Sequence, residues 1–158
     1  MWSAYAAATR KRLRDVRAVS IFSIRQAGPD DIPLVTDSFW RDYKTSPYTT
    51  GTSGPQLTEM LCRLISSPGW HLVVAYVDPV VDEICGWLLY RSSTEVGWIH
   101  VKAPYRRRGC ARTLLEHAGV RPPATLACAF SDPIVAQKIA APRGLTLRFR
   151  PYMVADGT

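Results

Sequence analysis

Residues 98–111 read Trp-Ile-His-Val-Lys-Ala-Pro-Tyr-Arg-Arg-Arg-Gly-Cys-Ala. The types and their order make an anion cradle. Apolar residues that suit a strand give way to a basic loop, and a helix is expected to begin directly after it. The first turn of a helix carries backbone N–H groups with no intrahelical partner. The helix dipole favours negative charge at that end. Gly109 lets backbone approach a bulky anion without a Cβ, and the small Ala111 keeps the next contact open. Arg106, Arg107 and Arg108 add charge and forked donors suited to phosphate oxygens. In isolation an Arg-Arg-Arg-Gly run reads equally as a solvated loop. The strand before it and the helix after it favour the cradle.

Titratable groups precede this loop. Glu95 stands six residues before Val101. In a regular strand, even spacing puts both on one face. His100 has the titration range of a proton carrier, but its odd spacing from Glu95 aims it at the opposite face, where a packed or hydrogen-bonded histidine is expected. Glu83, at the start of a strand, is a weaker candidate.

The elements that must hold these residues follow from composition and period. Ile21–Arg25 has the β-branched and aromatic content of a strand. A helix starts at Pro29 or Asp30 and runs to about Tyr43, with Ile32, Val35, Phe39 and Trp40 on one face. Residues 44–55 are rich in Ser, Thr, Gly and Pro and read as a loop. Helical period resumes from Gln56 to Ser66 and stops at Ser67-Pro68-Gly69. Three strands are expected at His71–Val77, Ile84–Tyr90 and Glu95–Lys102, and their two tight connections argue for an antiparallel meander. Trp87 and Trp98 read as a cross-strand pair. After the basic loop come a helix to about Gly119, a buried strand Ala124–Phe130, a short helix Pro133–Ala141 and a final strand Leu145–Val154. This β-α-α-β-β-β-α-β-α-β order fits one central sheet with helices packed on it, an α/β (α+β) fold. Residues 1–20 form a basic N-terminal extension, and residues 21–158 a single domain.

Bulk properties bound the function. The chain has 158 residues, 47% of them hydrophobic, which suits one domain with a core. A net charge of +7 and a pI of about 9.5 imply an anionic partner. Cys62, Cys85, Cys110 and Cys128 form no Cys-x-x-Cys pair, and the three histidines complete no metal pattern. A reducing, cytoplasmic setting with no disulfide framework and no metal is expected. No apolar run approaches the roughly 20 residues that span a bilayer, and no membrane partner is expected. The first 20 residues lack the order of a signal peptide. Their arginines read as a solvated face or arm rather than a transit peptide.

The stretch around the cradle resembles the acetyl-CoA signature of the GNAT superfamily, Q/R-x-x-G-x-G/A, carried here by Arg106, Gly109 and Ala111. Tyr105 before the arginine and Val101 five residues ahead also fit, and the element order matches from about Ile21 to Tyr152. The resemblance implies a mixed sheet of about six strands with four helices, splayed between its fourth and fifth strands. The pantetheine arm of acetyl-CoA would lie in that gap on the backbone of Val101 and Ile99. The N–H groups of Arg107, Arg108, Gly109, Cys110 and Ala111 would hold the diphosphate. It also implies transfer of an acetyl group to a primary amine by direct attack, with Glu95 at the position of the general base in some members. The stretch Ser38–Tyr43, S-F-W-x-x-Y, taken with the cradle motif, is similar to small acetyltransferases of bacteriophage genomes, which suggests a phage or bacterial cytoplasm.

The chain departs from the family downstream. Gly144-Leu145 stands for a Gly-Phe pair, and Ala140 occupies the place of a tyrosine that protonates the leaving thiolate. Ser131-Asp132 replaces an asparagine common after the fifth strand. Tyr152, Ser131 or a water are the substitutes for the proton donor. The absence of that tyrosine leaves open a catalytically weak acyl-CoA-binding module. Arg143, Arg148, Arg150 and the N-terminal arm leave open a nucleic-acid-associated one. Trp40, Tyr43 and Tyr48 flank a loop that borders the acceptor site in the resembled fold. The expected partners are an amine acceptor and, through the arm, nucleic acid or an acidic protein, with a homodimer left open.

Overall fold

The computed structural model describes residues 20–44, 53–77, 80–128 and 133–150. Six strands form one sheet in the order β1-β2-β3-β4-β5-β6. They are β1 (Phe22–Gln26), β2 (His71–Val77), β3 (Val80–Ser92), β4 (Glu95–Val101), β5 (Ala124–Cys128) and β6 (Leu145–Phe149). The first four pair antiparallel, as the short β2–β3 and β3–β4 connections require of three of them. β5 pairs parallel with β4, and β6 parallel with β5, each reached through a helix.

The helices are α1 (Ile32–Tyr43), α2 (Gly54–Ser66), α3 (Cys110–His117) and α4 (Pro133–Ala140). A 3-10 turn, Pro29–Asp31, leads into α1. The Asp31 carboxylate accepts from the Gly28 N–H at 2.7 Å and from both terminal nitrogens of Arg25 at 2.6 and 3.0 Å. These bonds hold its carboxyl below the ordinary aspartate range, the Arg25 bond contributing most. α2 opens with a reciprocal cap: Gln56 N–H donates to Ser53 Oγ, and Ser53 N–H to the Gln56 side chain. No helix among the described residues is long and apolar enough to cross a membrane.

The sheet divides the core in two. On one face α1 and α2 contribute Val35, Phe39, Leu57, Leu61 and Leu64, packed on Leu72, Val74, Trp87 and Leu89. On the other, α3 and α4 contribute Cys110, Leu114 and Ala140, packed on Val73, Leu88, Val96 and Leu126. A buried polar link ties α1 to the sheet. Trp87 Nε1 donates to Ser38 Oγ at 2.8 Å, and that hydroxyl donates to Val35 O at 3.0 Å. Buried polar groups are kept where such partners exist.

The register corrects two expectations. Trp87 lies opposite His100, and Trp98 opposite Leu89, so the two tryptophans are not a direct cross-strand pair. Phe39 joins them, edge-on to Trp98 at 5.6 Å and tilted to Trp87 at 6.4 Å. The second correction comes from an irregularity. Tyr90 faces Val96 while Leu89 faces Trp98, which leaves Gly97 as an extra residue in β4. An inserted residue reverses the alternation beyond it. Val96, Ile99 and Val101 pack with the α3 side. Trp98 packs with the α1–α2 side, where His100 stacks on Trp87. Glu95, next to Val96, shares the face of Trp98 and His100 and not that of Val101. The even-spacing argument fails because it assumes an unbroken pleat.

Candidate functional site: an open strand edge beside a helix N-terminus

The four cysteines are free thiols, three of them buried, packed as small hydrophobes. Burial pushes the Cys110 thiol up to about 12 and the Cys128 thiol up to about 11. Only the backbone of Cys110 is therefore offered to a ligand.

After β4, Ala103–Tyr105 forms a 3-10 turn and residues 106–109 a second turn, ending at Gly109. Arg107 has φ 61° and Gly109 φ 89°, both left-handed. A Cβ at Gly109 would meet nothing within 4 Å, so the glycine is required by its backbone angle. An arginine in this region is uncommon and carries strain. The first intrahelical bond of α3 runs from Thr113 N–H to Gly109 O at 3.0 Å. The N–H groups of Cys110, Ala111 and Arg112 thus precede the helix ladder. Arg106, Arg107, Arg108 and Gly109 are all exposed around them.

The strand that feeds this loop has an edge left open, among the described residues, past Val96. Among the described residues, β4 and β5 pair through Glu95 with Ala127 and Val96 with Cys128. Gly97–Val101 have no β5 partner among the described residues. Lys102 N–H donates to Cys85 O on β3 at 2.8 Å, and the carbonyl of His100 lies against Gly86. By alternation the polar backbone groups of Ile99 and Val101 face the other way, toward the open edge. There Arg106 Nε donates to Val101 O at 3.0 Å. Close packing fixes the backbone: a Cβ on Gly86 would stand 2.6 Å from the His100 carbonyl and 3.2 Å from Cys110 Sγ.

The acid–base candidates fall in different settings. Glu95 is half-buried at the mouth of the β3–β4 hairpin. Arg91 holds it by two bonds, Nε to Oε2 at 2.8 Å and Nη2 to Oε1 at 2.7 Å. The Arg91 guanidinium sits over Trp70 at 5.4 Å. The Arg91 hydrogen bond is the main cause that holds the Glu95 carboxyl below its ordinary range; burial opposes it, and Arg150 adds to it. A carboxylate so held is a weak proton acceptor near neutrality. Glu83 is exposed and accepts the Tyr105 hydroxyl, whose pKa is pushed up to about 12, chiefly by that bond. His100 faces α1, and its Nδ1 lies 2.5 Å from Asp42 Oδ2. Its ring stacks on Trp87 with centroids 6.1 Å apart. Tyr152, Ser131 and Tyr48 lie outside the described residues, as does the arm at residues 1–19.

Sequence reading passed over Asp42 and Gly97. Each left a signal. An acid in the last turn of a helix opposes the dipole and needs a cationic or hydrogen-bonding partner. A lone glycine inside a strand marks a bulge or a close approach.

The mixed sheet with parallel β4 and β5, helices on both faces and a turn into α3 is the GNAT acetyltransferase fold. Two solved structures carry the likeness. A probable acetyltransferase is 20% identical, covering 77% of this chain and 88% of its own, with a TM-score of 0.53. The aminoglycoside N-acetyltransferase AAC(6')-Iy, in complex with CoA, is 17% identical over 82% of this chain and 91% of its own, with a TM-score of 0.50. Likeness at this identity is a likeness of fold. No protein-family model and no curated protein matches the chain.

Proposed function

We propose that the protein transfers an acetyl group from acetyl-CoA to a primary amine. One observation carries this reading: the open edge of β4 at Ile99 and Val101 runs directly into a left-handed turn and the N-terminus of α3. A diphosphate suits the N–H groups from Arg107 to Ala111, with Arg106, Arg107 and Arg108 around it. The amide-bearing pantetheine arm suits the edge of β4, where it adds as a strand would. Val101 O, held by Arg106, becomes its acceptor once that side chain turns to phosphate. A thioester brought in this way lies along β4, open to attack from the acceptor side. The neighbour with bound CoA has the same fold.

The attack needs an acceptor for the amine proton, donors for the tetrahedral oxyanion and a proton for the thiolate. The test separates binding from turnover. Calorimetry with acetyl-CoA reports binding. Free thiol released with aminoglycosides, polyamines, lysine peptides and peptide N-termini reports transfer. Binding together with release on at least one amine class is expected. Binding without release on any would leave an acyl-CoA-binding module. No binding would remove both.

A further inference from the structure

His100 stands in β4 between Ile99 and Val101, the two residues whose backbone groups face the open edge. By strand alternation its side chain points to the opposite face from theirs, toward α1, where it meets Trp87 and Asp42. Two contacts fix the ring. Trp87 supports one face, its ring 26° from parallel. Asp42, from the last turn of α1, holds Nδ1. An ionised carboxylate only accepts hydrogen bonds, so in the neutral ring the proton sits on Nδ1 and the lone pair on Nε2. No described residue bonds Nε2 in the structure. The imidazole is mostly buried, with 12% of its side chain exposed. A base held in one tautomer and one orientation by a carboxylate is the arrangement that general-base catalysis requires.

We infer that His100, positioned by Asp42, takes the proton from the attacking amine, and that Glu95 does not. This inference rests on the acetyl-CoA reading above. The amine nitrogen bonds to the thioester carbon, and Nε2 removes a proton from that nitrogen. The tetrahedral intermediate then collapses, the C–S bond breaks, and the thiolate leaves. The imidazolium holds the proton that the thiolate needs, so amine and acetyl-CoA become amide and CoA thiol with no further group. This accounts for a chain that has Ala140, a buried core residue, where the family's tyrosine is expected. Glu95 is committed to Arg91 at the far end of the strand. Asp42 is a positioning residue, since it acts through the ring.

The test needs no knowledge of the acceptor. Bromoacetyl-CoA carries an alkylating carbon next to the thioester carbonyl. Nε2 within reach would displace bromide and form a C–N bond. With the wild-type protein at mildly alkaline pH, peptide mass mapping should find the adduct on His100, and excess acetyl-CoA should suppress it. Asp42→Asn should slow labelling at least about tenfold, with acetyl-CoA affinity unchanged by calorimetry, and Glu95→Gln should leave labelling intact. If acetyl-CoA binds but His100 stays unmodified, or if labelling ignores Asp42, the proposal is overturned and the cofactor reading stands. If neither CoA compound binds, both fall.

Discussion

At the scale of the residue, glycines and ion pairs determine what the site presents. Gly86 and Gly109 separate two reasons for lacking a Cβ. At Gly109 the space is open and the backbone angle is left-handed, so Gly109→Ala should cost about 1 kcal/mol in urea unfolding. At Gly86 a Cβ meets the His100 carbonyl, so Gly86→Ala should cost more, about 2–3 kcal/mol, and displace β4 under the site. Arg107 occupies a conformation that glycine adopts freely. Arg107→Gly should leave the melting temperature no lower while weakening CoA about tenfold, the worth of one charge-assisted bond. Glu95 and Asp31 both have carboxyls held below their ordinary values of 4.5 and 3.8. A depressed folded-state pKa gives stability that is present above the ordinary value and lost as pH falls through the folded one. Glu95→Gln should therefore destabilise by about 1 kcal/mol near neutrality, and in urea titrations the difference from wild type should shrink as pH falls below the ordinary value of 4.5 and disappear below the depressed folded one. At this scale the turn into α3 around Arg106, Gly109 and Ala111 was legible because local backbone sets it. The partner of His100 was not, since Asp42 lies 58 residues away from it.

At the scale of the element, period and punctuation decide most of the fold. α1 and α2 fall where their apolar spacing predicts, because each buries one side against a single layer; β2 falls where its continuous apolar run predicts, because both its faces are buried. Ser53 falls in the Ser, Thr, Gly and Pro-rich stretch that predicts a loop, yet it caps α2, one turn before the apolar run. Ser53→Ala should cost about 1 kcal/mol by thermal unfolding and leave acetyl-CoA affinity unchanged, since α2 does not reach the cradle. β4 is where periodicity misleads. Its residues alternate correctly on either side of Gly97, and the inserted residue reverses the sense between them. The reversal turned the even spacing of Glu95 and Val101 into opposite faces and brought His100 to the side of α1. A bulge is a tertiary choice, made where Trp70 and Leu89 would lie 3.0 and 3.1 Å from a Cβ, and no local pattern states which neighbours will press there.

At the scale of the whole molecule, an excess of seven positive charges must be matched to an anion. The sheet order brings Arg106–Arg108 to the end of the open edge, and under the proposed function a polyanionic coenzyme would account for part of that charge. Affinity for CoA should then fall as salt rises, but far less steeply than a nucleic-acid complex that releases many counterions. The central claim is that backbone amides at the start of α3, together with the edge of β4, hold CoA. Titration of ¹⁵N-labelled protein with CoA tests it most directly, through the amide signals of each residue. The amides of Ile99, Val101 and Arg107–Arg112 should shift and saturate together, while those of Ser23–Arg25 in β1 stay in place. Unmoved signals from Gly109, Cys110 and Ala111 at saturating CoA would contradict the account.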